Sequence, residues 1–426
     1  MTTPSNAEPA FTLLRPLPTT AMFWQDTEIT RSDLLAHSAA LASLYFSAPG
    51  ERIVLFSENR PEWIAALLSI WRNHCIAVPV DAMSPAPELA YVLGQTEPVA
   101  LFCSAKTRPV AQEALRSLPA LSVRVICFDE EDFPAMPSGA LASAPLASGT
   151  ADTLAAILYT SGTTGNPKGV MLTFGNLKVN LESVCDRVPI FRPESRTFAL
   201  LPFHHILPLM GCILAPLYSG GTLILSHSLD PAEMVATMRR RKATILIGVP
   251  RLYALFRKAI VENLFKSPVG RLLYRLSATI NRLPVSRVLL FPVQKKFGGC
   301  LRQMVSGGAP LDRDVARDLT LCGFQVLEGY GMTECAPMIT FPRPEAVRLG
   351  SCGQPCLPDS VRIEDGEVLA RGPHVTPGYW KNPEATAEAI QEDWLHTGDL
   401  GYLDSENYLF ITGRKKEIIV LPNGKK

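Results

Sequence analysis

From Arg52 to Cys103 the sequence changes its hydrophobic period four times. RIVLF (Arg52–Phe56) is a short apolar run, PEWIAALLSIWR (Pro61–Arg72) spaces its apolar residues as a helix does, and IAVPV (Ile76–Val80) is strand-like again. PELAYVLG (Pro87–Gly94) then reads as a helix with proline in its first turn, and VALFC (Val99–Cys103) as a strand. Such alternation predicts parallel α/β layers. The pattern returns at Thr222–Leu225, a helix near Pro231–Lys242, and the run TILIGV (Thr244–Val249). From about Gly350 the texture changes. Short pieces at Ser360–Ile363, Glu367–Ala370 and Tyr408–Ile411, split by Gly, Pro and Asp, predict a small β-barrel or meander. Pro134–Thr150, rich in Pro, Ser and Ala, reads as a surface linker.

Composition narrows the class. With 426 residues, 47% apolar and 19% charged, the chain is globular and exceeds one ordinary domain. A formal net charge of +1 gives no case for nucleic acid. No basic segment followed by an apolar run opens the chain, so a secretory signal is not expected. The ten cysteines lack paired spacing and read as buried thiols in a reducing cytoplasm. Ile206–Leu225 is an uncharged run of membrane-spanning length, but Pro208, Pro216 and Gly220–Gly221 break it into a short helix, a turn and a strand. It is expected in the core. Residues 251–302 hold eleven basic residues against one acid, Glu262. Within them Gly270–Leu283 is amphipathic: Arg271, Arg275 and Arg282 fall on one side, and Leu272, Leu276, Ile280 and Leu283 form a stripe nearby. Either the stripe packs on the core and the charged face is solvated, or the segment meets an anionic membrane surface. The first is the expectation here.

The chemistry begins at YTSGTTGNPKGV (Tyr159–Val170). Hydroxyls at Thr160, Ser161, Thr163 and Thr164 alternate with Gly162, Gly165 and Gly169, and Lys168 adds a point charge. Glycines admit an anion close to backbone N–H groups, so this is a phosphate loop. It is not a Walker A loop, which needs Gly-Lys followed by Ser or Thr. Further on, VSGGAPL (Val305–Leu311) is a turn able to admit a flat ring, and LEGYGMTE (Leu327–Glu334) offers an aromatic face, a hydroxyl and a carboxylate. WLHTGDLG (Trp394–Gly401) places Asp399 in a tight turn where its oxygens face a diol. GRKKE (Gly413–Glu417) follows a strand with a permanent cation, and PFHH (Pro202–His205) sets two histidines beside the apolar run. Each piece alone is weak. Together they supply phosphate donors, a purine-sized slot, a magnesium-capable carboxylate and a diol acceptor, which is an inventory for ATP.

That ordered set closely resembles the adenylate-forming superfamily of acyl-CoA synthetases, peptide-synthetase adenylation domains and beetle luciferases, over essentially the whole chain from about Arg52. LEGYGMTECAP, RGPHVTPGYWKNPEAT with WLHTGDLGYLD, ITGRKKEIIVLPNGK, and VPRLY ahead of VSGGAPL look most like bacterial long-chain fatty acyl-CoA synthetases. Phe174 in LTFGNL is a small departure, since histidine is frequent there. The resemblance implies a layered α/β/α/β/α large domain of two similar α/β subdomains with a small β-barrel-like subdomain. The large AMP-binding domain would cover 1–412, its β-rich part from about 340, with hinge and the start of a further domain at 413–426.

The same resemblance implies roles. Thr160, Ser161, Gly162, Thr163, Thr164, Gly165 and Lys168 would clasp the ATP β- and γ-phosphates. Gly307, Gly308 and Ala309 would line the adenine slot, with Tyr330 of the Tyr330–Gly331 pair on the base. Thr333 would touch the α-phosphate and Glu334 would hold Mg²⁺. Asp399 and Arg414 would take the ribose, His205 would stand between acyl pocket and nucleotide, and Lys416 would be the hinge. The implied substrates are a fatty acid, ATP and CoA. The family's C-terminal domain, with the lysine that contacts the reacting carboxylate, is not in this sequence. A trimmed form of a longer chain is expected, one that binds ATP but adenylates slowly alone. Alternatives are transfer to an acyl-carrier protein, a stop at the acyl-adenylate, or a non-catalytic nucleotide- or lipid-sensing module. A peptide-synthetase domain is disfavoured, because that family's aspartate for the amino group is not evident.

Overall fold

The computed structural model describes residues 10–14, 17, 19–139, 145–147, 149–160 and 166–415. Two large sheets carry the architecture. The first orders its strands Lys168–Thr173, Leu154–Thr160, Ile76–Pro79, Arg52–Phe56, Ala100–Cys103 and Arg124–Cys127. All neighbours are parallel except the edge strand Lys168–Thr173, which runs antiparallel to Leu154–Thr160. The second orders Gln325–Glu328, Gln303–Ser306, Ile245–Gly248, Arg196–Ala199, Thr222–Leu225, Thr20–Trp24 and Thr27–Thr30. It too is parallel apart from the terminal hairpin.

The two-residue period of a strand explains how the sheets stack. Ile53 and Leu55 pack into one core with Leu223, Leu225, Ile245 and Ile247 of the other sheet. Their neighbours Val54 and Phe56 face the opposite way, onto Leu89, Val92 and Leu93 of the helix Ala86–Thr96. Ile224 and Leu246 likewise face outward onto Met238, Tyr253 and Leu319. The shared core is filled by helices, among them Pro61–Arg72, apolar around almost its whole circumference because it has a sheet on either side. The result is five layers, α/β/α/β/α. Ile206–Leu225 lies in the core as expected, but Pro208 and Pro216 do not break it: Ile206–Ser219 is one helical segment, π-helical over Leu209–Leu214, ended by Gly220 at φ +83° before the strand Thr222–Leu225. No helix among the described residues is long and apolar enough to cross a membrane.

A curled antiparallel sheet follows: Val361–Glu364, Glu367–Ala370, Trp394–Leu403 and Ile390–Gln391, with Leu409–Arg414 pairing the long strand. Asp399 sits inside that ten-residue strand, not in a tight turn. Glu367 pairs Leu400 and Leu369 pairs His396, so the one residue between them, Val368, opposes three on the other strand and Thr397–Asp399 form a bulge. Gly398, at φ +73°, makes the bend that reads as a turn in the sequence. Arg414 ends the neighbouring strand and is the register partner of Asp399.

The segment 250–302 also departs from expectation. Its amphipathic helix runs Pro268–Ile280 and stops at Asn281, whose backbone is left-handed, so Leu283 belongs to the next helix. The stripe does not pack on the core: Leu272, Leu276 and Ile280 are exposed. All ten cysteines are free thiols and seven are buried.

Candidate active site

In open parallel sheets ligands bind beyond the carboxyl ends of the strands, where loops diverge and backbone groups are unpaired. That is where the predicted residues gather. One cavity of about 1170 Å³ is lined by Ser306–Gly308 after one strand of the second sheet, Gly329–Glu334 after the next, and Val249 after a third. Thr160 and Lys168, at the mouth of the first sheet's edge hairpin, close it from one side, and Asp399, Arg414 and Lys415 from another.

The hairpin brackets the predicted phosphate loop at both ends. Thr160 and Lys168 are directly paired across the two strands, so the seven residues between them form its connection. Ser161, Gly162, Thr163, Thr164 and Gly165 lie outside the described residues, and so does Lys416. The Lys168 ammonium stands 5.1 Å from the Tyr379 ring centroid, over its face, a cation–π contact that holds the cation at the cavity wall. Tyr379 is itself anchored, because Val170 bridges to it and the next residue, Trp380, donates its backbone N–H to the Gly169 carbonyl at 2.7 Å.

Glu334 is buried and points at the same wall. Its Oε1 accepts from the Tyr379 hydroxyl at 2.8 Å, and its other oxygen has no partner among the described residues. The backbone around it is held by Asn180, whose side chain donates to the Cys335 carbonyl at 3.0 Å and accepts from Met338 N–H at 2.8 Å. A single buried carboxylate with a free oxygen suits a magnesium ion that also takes oxygens from substrate phosphates, the usual way this ion is bound. The described residues contain no cluster of three or more His, Cys, Asp or Glu able to form a closed metal cage.

Asp399 is better occupied than expected. Oδ2 accepts from the Tyr330 hydroxyl at 2.8 Å, and Oδ1 from Arg414 Nε at 3.1 Å. Each carboxylate oxygen has two lone pairs, so both retain capacity for a further donor. The Tyr330 phenol is pushed well above its usual range, chiefly by burial and then by the Asp399 charge, so it stays protonated as a donor. Gly308 has φ +82° and open space where a Cβ would stand, leaving the turn after Ser306 bare on the cavity side. Ala309 is exposed and does not line the cavity, unlike Gly307, Gly308, Gly331 and Thr333.

The other wall is apolar: Val184, Phe191, Leu207, Met210, Ile247 and Val249. His205 lines the same cavity. Its ring centroid is 3.9 Å from that of His204, whose Nε2 is 3.8 Å from Asp81 Oδ2. Burial lowers both histidines, and for His204 the neighbouring ring adds to it, while Asp81 opposes. Both are neutral at pH 7. His205 therefore lines the cavity without placing a cation in it.

Sequence reading passed over Tyr379, Asn180 and Glu367. Glu367 accepts the Gly398 N–H at 2.9 Å and Lys415 Nζ at 2.8 Å, with His396 Nδ1 at 3.5 Å. Burial alone would raise this carboxyl, but the hydrogen bonds from Lys415 and Gly398 carry it below the usual range. Tyr379 stands in RGPHVTPGYW, a motif used above only as a mark of likeness. Glu367 has no such signal, since an isolated acid in a short strand reads as solvated.

The family model described as AMP-binding enzyme matches residues 14–380. The long-chain-fatty-acid–CoA ligase FadD15 of Mycobacterium tuberculosis is 30% identical over 434 residues, spanning 94% of this chain and 72% of its own length. A feruloyl-CoA synthase from Amycolatopsis is 29% identical over 418 residues, spanning 94% of this chain and 76% of its own. Among solved structures, ATP-bound MatB from Rhodopseudomonas palustris superposes with a TM-score of 0.76 at 28% identity, over 95% of this chain and 77% of that one. The chain therefore belongs to the AMP-binding enzyme family, the adenylate-forming acyl-CoA ligases, and is an AMP-forming acid–thiol ligase.

Proposed function

We propose that this protein activates a long-chain fatty acid. The carboxylate oxygen attacks the α-phosphorus of ATP, the bond from that phosphorus to the bridging oxygen breaks, and pyrophosphate leaves. The thiol sulfur of CoA then attacks the acyl carbon, its proton passes to solvent, and the bond to AMP breaks. A carboxylate is a poor electrophile because oxide is a poor leaving group, and conversion to a mixed anhydride removes that obstacle. Two anions must meet, so charge has to be neutralised by groups already in place.

The observation that carries this reading is a single cavity with a charged end and an apolar wall. Lys168 and the loop residues Ser161–Gly165 are assigned to the β- and γ-phosphates, with Thr160 at the loop's base. Thr333 is assigned to the α-phosphate, Tyr330 and the Gly307–Gly308 turn to adenine, and Asp399 with Arg414 to the ribose. Ala309, being exposed, would serve the adenine slot through its backbone alone. Glu334 would hold Mg²⁺, which as a Lewis acid supplies positive charge to the phosphate oxygens. Val184, Phe191, Met210 and Ile247 would receive the alkyl chain, and His205, neutral, would separate chain from nucleotide. Ten free thiols favour a reducing cytoplasm. The basic excess of 251–302 favours contact with an anionic membrane on its inner side.

Product analysis tests the reading. Incubation with MgATP, CoA and either palmitate, ferulate or acetate should give acyl-CoA, AMP and pyrophosphate with a preference for palmitate. Faster turnover of ferulate or acetate would remove the fatty-acid assignment and leave the family intact, and an adenylate passed only to acyl-carrier protein would change the acceptor.

A further inference from the structure

We propose that the helix Pro268–Ile280 is the element that docks on an anionic phospholipid surface, lying flat with Val269, Leu272, Leu276 and Ile280 in the acyl region and Arg271 and Arg275 against headgroup phosphates. The proposal rests on the membrane contact suggested above and names its site.

Three contacts fix which way this helix faces. Gly270 lies against the end of the preceding helix Pro250–Phe265, where a Cβ would stand 2.2 Å from the Leu264 carbonyl oxygen. The Tyr274 hydroxyl donates to Asp318 Oδ1 at 2.8 Å, and Ser277 Oγ to the Leu321 carbonyl at 2.7 Å. Residues 270, 274 and 277 share one face at helical spacing, so that face is locked onto the domain. Val269, Leu272, Leu276 and Ile280 form a second row, turned outward, with 63%, 58%, 41% and 44% of their surface exposed. Arg271 and Arg275 flank the outward midline on the other side. A soluble surface helix normally does the reverse, burying its apolar row and presenting its polar one. Four large aliphatic residues in one exposed row form a contiguous patch, the kind that marks an interaction site.

Charge decides the occupant. Arg271, Arg275 and Arg282 form no ion pair among the described residues, whereas Arg257 on the neighbouring helix is matched by Asp318 at 2.7 Å. Eleven cations against one carboxylate in 251–302 would repel a second copy of the same surface. An apolar row beside unneutralised arginines fits the boundary between acyl chains and anionic headgroups, where both are satisfied at once. The arginine stems can lie along the apolar surface while the guanidinium groups reach the phosphates.

The test is co-sedimentation of the whole chain, without substrates, on vesicles of phosphatidylcholine alone and of phosphatidylcholine mixed with phosphatidylglycerol. Binding should be at least about tenfold stronger on the anionic vesicles and weaken with salt. Leu272→Asp with Leu276→Asp should lower it by about tenfold or more, and Arg271→Glu with Arg275→Glu should abolish the preference for anionic lipid. Unchanged thermal melting confirms that both variants fold. If the aspartate variant binds as well as the parent, the helix is the wrong element, although membrane contact stands. If the parent binds neither vesicle, both readings fall. A lipid-free dimer that the aspartate variant dissociates would make the row a protein–protein surface and overturn the proposal.

Discussion

The charged end of the cavity and the helical segment 250–302 use the same residue types in opposite ways. At the cavity, chain segments from Thr160 to Lys415 converge, and ionised groups meet a partner: Lys168 the face of Tyr379, Glu334 the Tyr379 hydroxyl, Asp399 both Tyr330 and Arg414, Glu367 Lys415. In 250–302 the charges come from one continuous stretch, and most of its cations have no ion-pair partner among the described residues. A buried ion left unpaired is costly, so a site assembled from distant segments must arrange partners before the ligand arrives. An exposed cation carries no such cost and can wait for a partner from outside. The difference separates a preorganised pocket from an open docking face.

Substitutions can break or sharpen that contrast. Glu334→Gln should have the largest effect, lowering acyl-adenylate formation by about a hundredfold, because the carboxylate proposed to hold the charge-neutralising magnesium ion is lost. Binding of ATP without magnesium should stay unchanged, and a rate near the parent's would remove Glu334 from the metal's shell. Asp399→Ala should weaken MgATP binding by about 1–3 kcal/mol, read by titration calorimetry, since the acceptor proposed for the ribose hydroxyls is lost. Equal affinity would count against the ribose assignment.

Glu367→Gln should cost about 1 kcal/mol of stability at pH 7, a modest figure because Lys415 is largely exposed and the pair is screened. The sign with pH follows from the lowered folded value. The parent's advantage is complete above the ordinary glutamate pKa of about 4.3 and disappears as pH falls through the lower folded one. Urea melts of parent and variant should therefore converge in acid, and a gap that persisted at low pH would refute the ionic role. Leu272→Asp should do least. Stability should shift by no more than about 0.5 kcal/mol and MgATP affinity not at all, because its side chain is mostly in solvent. A large loss of melting temperature would mean that the row is packed after all.

Much of this was legible in the sequence where chemistry and local geometry coincide. Strand and helix alternate at periods of about two and 3.6 residues, so Arg52–Phe56, Pro61–Arg72 and Ile76–Pro79 were readable almost to their ends. Gly220–Gly221 marks where Ile206–Leu225 breaks, whereas Pro208 and Pro216 were misread as breaks and stand inside its helical segment. Asp399 was found but misplaced, because Thr-Gly-Asp is turn-like in isolation and only cross-strand register reveals a bulge. The stripe of Pro268–Ile280 was found as well, but amphipathicity says only that a helix has two faces, not which one meets the protein.

What the sequence determined alone was therefore the alternation of strand and helix in parallel α/β layers, since periodicity and turn chemistry act over a few residues. The five-layer order and the candidate nucleotide-site residues came from the family resemblance of its motifs. The tertiary structure decided the pairings Tyr379 with Glu334, Tyr330 with Asp399 and Lys415 with Glu367, and the outward turn of the apolar row. Those depend on which distant segments share a boundary once the sheets have stacked, and nothing in the spacing of neighbours along a chain encodes that.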